Sequence, residues 1–202
     1  MIYFSDRDVV RKLAACGFLP LLPELLGVAD SDLEIRYLVS LKGSLTRGSQ
    51  KLENIEFQRH LIDFCERHSV IGAAASVRRV QELLDGGMDP GEALLFAEAE
   101  HTAGVVVTGD KQALADYARL SNHSQRARIK IICWEMLLLR VHDLKGFGVL
   151  KAGCCGGIKA DKMLSLAFST GLATGEDHAI VCIRSFLRGV EAHSSDILFH
   201  FQ

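Results

Sequence analysis

Val105-Val106-Val107-Thr108-Gly109-Asp110-Lys111 decides how this chain is built. Its first three residues are apolar without alternation, the pattern of a strand covered on both faces, as in a parallel sheet packed between helices. Gly109-Asp110 ends that strand, and residues 111–120 have helical spacing. Upstream, Pro90-Gly91 opens a helix with Glu92 in its first turn, and Gly104 ends it. A helix, a buried strand and a second helix in succession are the repeating unit of an α/β fold.

The same alternation extends outward. Residues 1–4 read as a short apolar strand, with Asp6 directly after it and a helix over 8–15 that stops at Gly17. Residues 18–28 hold Pro20 and Pro23, so they read as helical turns separated by a break. Residues 33–38 alternate as a second strand. Residues 42–50, Gly- and Ser-rich, read as a mobile loop. Helices follow over 53–68 and 76–84, the latter with Ser76 as N-cap. After the Val105 strand and its helix come a buried strand over 129–134 and a helix over 135–142. Beyond that the character changes. Residues 148–157 (GVLKAGCCGG) read as a loop, helices are expected near 160–169 and 176–188, and the tail SDILFHFQ reads as a final strand. The expected fold is α/β, a three-layer α/β/α arrangement with a central parallel sheet over residues 1–145. A helical C-terminal extension over 146–202 packs on the same domain.

Composition narrows the function. The 202 residues are 49% hydrophobic and 24% charged, which allows a packed core. The formal net charge of -2 excludes a globally basic polyanion binder, so any nucleic-acid contact must be local. No apolar run approaches the roughly 20 residues of a membrane helix. The start, MIYFSDRD, turns acidic too early for a signal peptide, so a cytoplasmic protein is expected. Six cysteines in mostly apolar contexts, without a C-x-x-C, read as buried free thiols. Eight dispersed histidines form no H-x-x-x-H pair, and His101, His178 and His193 read as surface or capping residues. Trp134 reads as core.

Ligands of an open parallel sheet bind beyond the carboxyl ends of its strands. Asp6 follows the first strand, and Asp110 follows the Val105 strand. Glu92 opens a helix that begins at the same edge. Three carboxylates distant in sequence are therefore expected to meet. Their mutual repulsion is relieved by a hard cation such as Mg2+ or Mn2+, which can activate water and stabilise a phosphoryl oxygen. Capping explains each residue singly. Asp6 and Asp110 stand where helices begin, and an acid in a first turn, as Glu92 is, is favoured by the helix dipole.

The stretch Ile2-Tyr3-Phe4-Ser5-Asp6-Arg7-Asp8-Val9-Val10 resembles the opening "strand, Asp, x, Asn, Val, Leu" of PIN domains. Gly91-Glu92-Ala93, an apolar helix, a Gly, an apolar strand and Thr108-Gly109-Asp110-Lys111 resemble that family's second half. The resemblance covers roughly residues 1–142. It implies a metal-dependent endoribonuclease acting on RNA, of the kind found as toxins of toxin–antitoxin pairs, with an antitoxin protein as partner. Asp6, Glu92 and Asp110 would be ligands of Mg2+ or Mn2+, Thr108 a supporting hydroxyl and Asp8, where the family often has Asn, an outer-sphere group. The family carries a further acid on an early helix. The nearest here is Glu34, inside an expected strand, and Asp116 is another nearby carboxylate. That gap leaves room for a non-catalytic scaffold of the same fold.

Asp6-Arg7-Asp8-Val9-Val10 also fits the D-x-D-x-[TV] opening of haloacid-dehalogenase-type phosphohydrolases, whose first Asp is a nucleophile and second an acid/base. Against that reading, five residues separate Asp110 from Asp116, and no Lys occurs between Lys51 and Lys111. Phosphate contacts are expected from Arg7, Lys42, Arg47 and Lys51, with Arg78, Arg79, Arg126, Arg128 and Lys130 as further cations. Aromatics are only 7%, with none of the basic–aromatic interleaving that stacks bases. The apolar faces of the C-terminal helices (Leu164, Leu166, Phe168; Ile180, Val181, Ile183, Phe186, Leu187) either cover the domain or form a homodimer.

Overall fold

The computed structural model describes residues 1–46, 55–72 and 74–201. The first strand, β1 (Ile2–Ser5), leads into helix α1 (Arg7–Ala15). A 3-10 turn (Leu19–Leu21) and α2 (Leu22–Leu26) form the broken helical segment that the two prolines impose. Then come β2 (Glu34–Tyr37), α3 (Val39–Thr46), α4 (Ile55–Arg67), β3 (Ser69–Val70) and α5 (Val77–Asp85). The second half runs through α6 (Pro90–Thr102), β4 (Val105–Thr108), α7 (Lys111–Leu120), α8 (His123–Arg126), β5 (Lys130–Cys133) and α9 (Trp134–Lys145). The C-terminal segment holds α10 (Phe147–Gly156), α11 (Lys162–Ala167) and α12 (Glu176–Ser194).

All five strands are parallel, in the order β3-β2-β1-β4-β5. The chain leaves the central β1 toward β2 and β3, then returns to its other flank for β4. The gap between β1 and β4 is thus a topological switch point, where an open sheet leaves a crevice at its carboxyl edge. Side chains of β1 and β4 alternate between two cores. Tyr3, Val105 and Val107 face one with α1, α4 and α9, whereas Phe4 and Val106 face the other with α5, α6 and α7. The expected three-layer α/β/α architecture is what forms.

The C-terminal segment belongs to the same body. Ile180 and Ile183 of α12 enter the first core, Val190 enters the second, and Leu164 and Phe168 are fully buried. These faces therefore cover the domain; of the eight residues singled out above only Leu166 and Val181 are exposed, at 49% and 62%, while Phe186 and Leu187 are half-buried. The expected final strand reduces to one bridge, Ile131 to Leu198, which closes the edge of β5.

Other expectations need correction. Residues 148–157 are helical, not a loop. The glycines serve contact: a Cβ on Gly153 would lie 2.5 Å from the Cys16 carbonyl oxygen and closer still to Phe18 Cζ, and one on Gly157 2.5 Å from Cys16 Sγ. Helix α3 occupies the first part of the expected mobile loop, whose remainder, with Arg47 and Lys51, lies outside the described residues. Ser76 stands at an N-cap position without a side-chain capping bond. All six cysteines are free, with Cys155 and Cys182 only partly buried. Trp134 is core, and His101, His178 and His193 are exposed.

At the end of α6 the left-handed position falls on Ala103 (φ 54°), not on Gly104. Gly104 instead admits its neighbours: a Cβ there would meet Phe4 Cε2 at 2.6 Å and the Ile2 carbonyl at 3.0 Å. The two adjacent residues should respond in opposite directions. Ala103→Gly should stabilise by about 1 kcal/mol by removing the left-handed penalty. Gly104→Ala should destabilise by about 1–3 kcal/mol through overpacking. Urea-unfolding midpoints check both signs.

Candidate functional site

At the carboxyl edge of β1 and β4 lies a cleft of about 720 Å³, lined among others by Asp6, Asp8, Asp89, Glu92 and Asp110. Its position follows from the last rung of the ladder. The Asp6 N–H donates to the Val107 carbonyl at 3.0 Å, so the turn after β1 sits beside the turn after β4. Helices α1, α6 and α7 begin around this cleft, and each begins with an aspartate as N-cap.

The caps engage one oxygen of each carboxylate. Asp6 Oδ1 accepts from the Asp8 N–H at 3.1 Å, Asp89 Oδ1 from Gly91 N–H at 2.9 Å, and Asp110 Oδ1 from Gln112 and Ala113 N–H at 2.8 and 3.0 Å. The second oxygen of Asp6 accepts from the Thr108 hydroxyl at 3.4 Å, while that hydroxyl accepts from the Asp110 N–H at 3.0 Å. Thr108, 2% exposed, thus links the two acidic turns. Capping and a role in the cleft coexist in one side chain.

Burial pushes the Asp6 carboxyl above its ordinary range, and the charges of Asp8 and Asp110 add to it. Glu92 is pushed up to about 8, first by burial, then by the charge of Asp110 and a hydrogen bond between the two carboxyls, with smaller effects from Asp89 and Asp6. Among the described residues no cation pairs with Asp6, Glu92 or Asp110. Lys111 lines the cleft, but its ammonium turns to the buried Glu135 at 3.0 Å and the Phe186 carbonyl at 2.8 Å. Lys12, 7% exposed, lies behind the cleft, held by Asp8 at 2.8 Å and Asp161 at 2.7 Å.

Asp6, Glu92 and Asp110 are therefore brought together, with Asp8 and Thr108 beside them. Glu34 is not. It pairs in register with Ile2 at the amino end of β2, the opposite edge of the sheet, and holds Arg36 at 2.8 Å. Asp116, bound to Gln112 and Arg119 on the flank of α7, does not line the cleft. Arg7 lines the cleft, whereas Lys42 is exposed on α3 outside it. Arg79, Arg126 and Arg128 are engaged by the fold: Arg79 by Glu100 and Ser121, Arg126 by Asp196, and Arg128 by the Glu100 carbonyl. Sequence reasoning missed Asp89, Ser40 and Lys12. Asp-Pro at a helix start marks Asp89 as a cap, and the Asp8–Lys12 spacing is that of a helical ion pair. Neither signal says that the residue meets the site.

The donor set suits a hard dication. Five carboxylates and the Ser40 hydroxyl line the cleft, with Arg7 and Lys111 beside them and, among the described residues, no thiol or imidazole. Among the described residues no three acidic, His or Cys side chains yet close into a metal cage. Glu92 and Asp110 stand close enough that the charge of Asp110 adds to the upward push of burial on Glu92. Comparison with protein-family models, curated proteins and solved structures finds no match for this chain.

Glu92 makes metal-free stability depend on pH. Its folded value of about 8 lies above the ordinary 4.5, so the folded state holds the proton more tightly. That contribution is complete below about pH 4.5 and is lost as pH rises through about 8. In chelator-containing buffer, wild type should lose stability relative to Glu92→Gln across this window. A difference between the two proteins that stays flat with pH would contradict the assignment.

Proposed function

We propose that this chain is a PIN-like, Mg2+- or Mn2+-dependent endoribonuclease. One observation carries the reading: Asp6, Glu92 and Asp110, unpaired by any described cation, share a cleft at the switch point of a parallel sheet. A dication held by these three would supply Lewis-acid stabilisation of a phosphodiester oxygen and ionise water near neutral pH.

The chain's own residues do the positioning. The Thr108 hydroxyl and the α1 cap fix Asp6, and the α7 cap fixes Asp110, so neither carboxylate must be ordered when a ligand arrives. Glu92 holds a proton in the free protein and would release it on loading, which makes loading favoured as pH rises. Arg7, exposed at the rim, is placed to meet a phosphate of the RNA. Under this reading the protein works in the cytoplasm, and an antitoxin protein is its natural inhibitor. No helix among the described residues is long and apolar enough to cross a membrane.

A scaffold of the same fold that binds RNA or a partner without cleaving it is favoured by one observation. Among the described residues, Glu34, the nearest candidate for the early acid that the resemblance calls for, stands at the other edge and not at the cleft. The phosphohydrolase reading needs Asp8 free to exchange a proton, and Asp8 is ion-paired to Lys12 in the first turn of α1.

Purified chain should cleave single-stranded RNA with Mn2+ or Mg2+ and be silent in chelator. Asp6→Asn and Asp110→Asn should each lower the rate by more than the roughly 10–100-fold typical of lost outer-sphere partners. Mn2+ at a hundred times its Kd should raise unfolding stability by about 2.7 kcal/mol. Binding without cleavage would favour the scaffold, and neither binding nor cleavage would remove the metal reading.

A further inference from the structure

A lysine is almost never fully buried unless it is paired. Lys12 is 7% exposed, and its ammonium is gripped between Asp8 Oδ2 at 2.8 Å and Asp161 Oδ2 at 2.7 Å. The grip joins two distant parts of the chain. Asp8 lies in the first turn of α1, and Asp161 is the N-cap of α11 in the C-terminal segment. Asp161 divides its oxygens: Oδ1 accepts from the Met163 and Leu164 N–H groups at 2.8 and 3.3 Å, and Oδ2 holds the lysine.

The ammonium also lies against the turn that carries Asp110. A Cβ on Gly109 would come within 3.1 Å of Lys12 Nζ and 3.6 Å of Trp134 Cβ, so the absence of a side chain at 109 admits the cation. One positive charge therefore sits beside the Asp6 and Asp110 turns, bound to the acid, Asp8, that stands next in line at the cleft. Where two dications act together on a phosphodiester, they stand about 3.5–4 Å apart and share carboxylates. An ammonium seated on Asp8 takes a carboxylate of the cleft lining that a second ion there would need.

We propose that Lys12 is a built-in cation that restricts this cleft to a single dication. Asp8 then serves the lysine and does not ligate the ion. The C-terminal segment takes part in the site through Asp161, the second carboxylate that holds this ammonium. This rests on the metal-dependent reading above, and the ion count separates the two.

The test is titration of the full chain with Mn2+ alone, by calorimetry and by electron paramagnetic resonance. Wild type should bind one Mn2+ per chain, with a spectrum free of Mn–Mn coupling. Lys12→Ala should bind two, and the added ion should be lost again in Lys12→Ala/Asp8→Asn. Two ions on wild type, or one ion on a Lys12→Ala variant shown folded by circular dichroism, would overturn the proposal. Should Lys12→Ala fail to fold, the wild-type count and spectrum still decide between one ion and two. No Mn2+ on wild type would instead remove the metal reading itself, and this proposal with it.

Discussion

The hydrogen bond from the Asp6 N–H to the Val107 carbonyl is the last rung between β1 and β4, and the cleft depends on it. Two parallel strands in register bring their carboxyl ends level. Because the chain departs from β1 and β4 to opposite sides, nothing is threaded across the space above them. A one-residue slip would send Val107 to the other core and carry Asp110 away from Asp6. Val105 and Val107 sit in one core and Val106 in the other, and because all three are valine the apolar run does not by itself distinguish this register from a slip; the polar contacts of Thr108 with Asp6 and Asp110 beyond it do.

Electrostatics then decides what the cleft can be. Helix N-termini carry partial positive charge and welcome carboxylates. Three such termini meet around this cleft, which lets Asp6, Asp89, Glu92 and Asp110 crowd together. The backbone amides use one oxygen of each aspartate. What the caps leave over lines one cleft, and Glu92 there is pushed up to about 8, first by burial and then by the charge of Asp110. Stability of the fold and affinity for a cation thus draw on the same groups.

Much of this was legible locally. Asp6 and Asp110 could be placed because a strand end followed by a helix start is a pattern within a few residues. Glu92 followed from Pro90 in the same way. What escaped was set by distant contacts. The two residues of β3, Ser69 and Val70, are too few to carry a period, and pairing with Arg36 and Tyr37 makes them a strand. The glycines of α10 and its C-cap read as a loop because their reason lies 135 to 141 residues away, at Cys16 and Phe18. Glu34 was read in the correct strand, but parallel pairing with Ile2 puts it at the wrong edge for a ligand. Asp89 was visible only as a cap, since its place in the cleft depends on where α6 starts relative to β1.

The C-terminal segment shows why cores and sites cannot be separated here. Two lysines stand close enough to the cleft to neutralise it, and each needs a partner elsewhere. An ammonium left without one inside the protein would turn to the nearest carboxylate, because an unpaired buried charge costs several kcal/mol. Asp161 of the α11 cap engages Lys12. The Phe186 carbonyl and ring of α12, with Glu135 at the start of α9, engage Lys111. The same helices fill the first core with Leu164, Phe168, Ile180 and Ile183. Packing therefore fixes the partners of the lysines, and those partners leave Asp6, Glu92 and Asp110 without counter-charges of their own. A minimal sheet ending after α9 would retain Glu135 but lose Asp161 and Phe186. Lys12 would then have only Asp8 and its acidic neighbours to turn to. The segment beyond residue 146 is in this sense what keeps the cleft acidic.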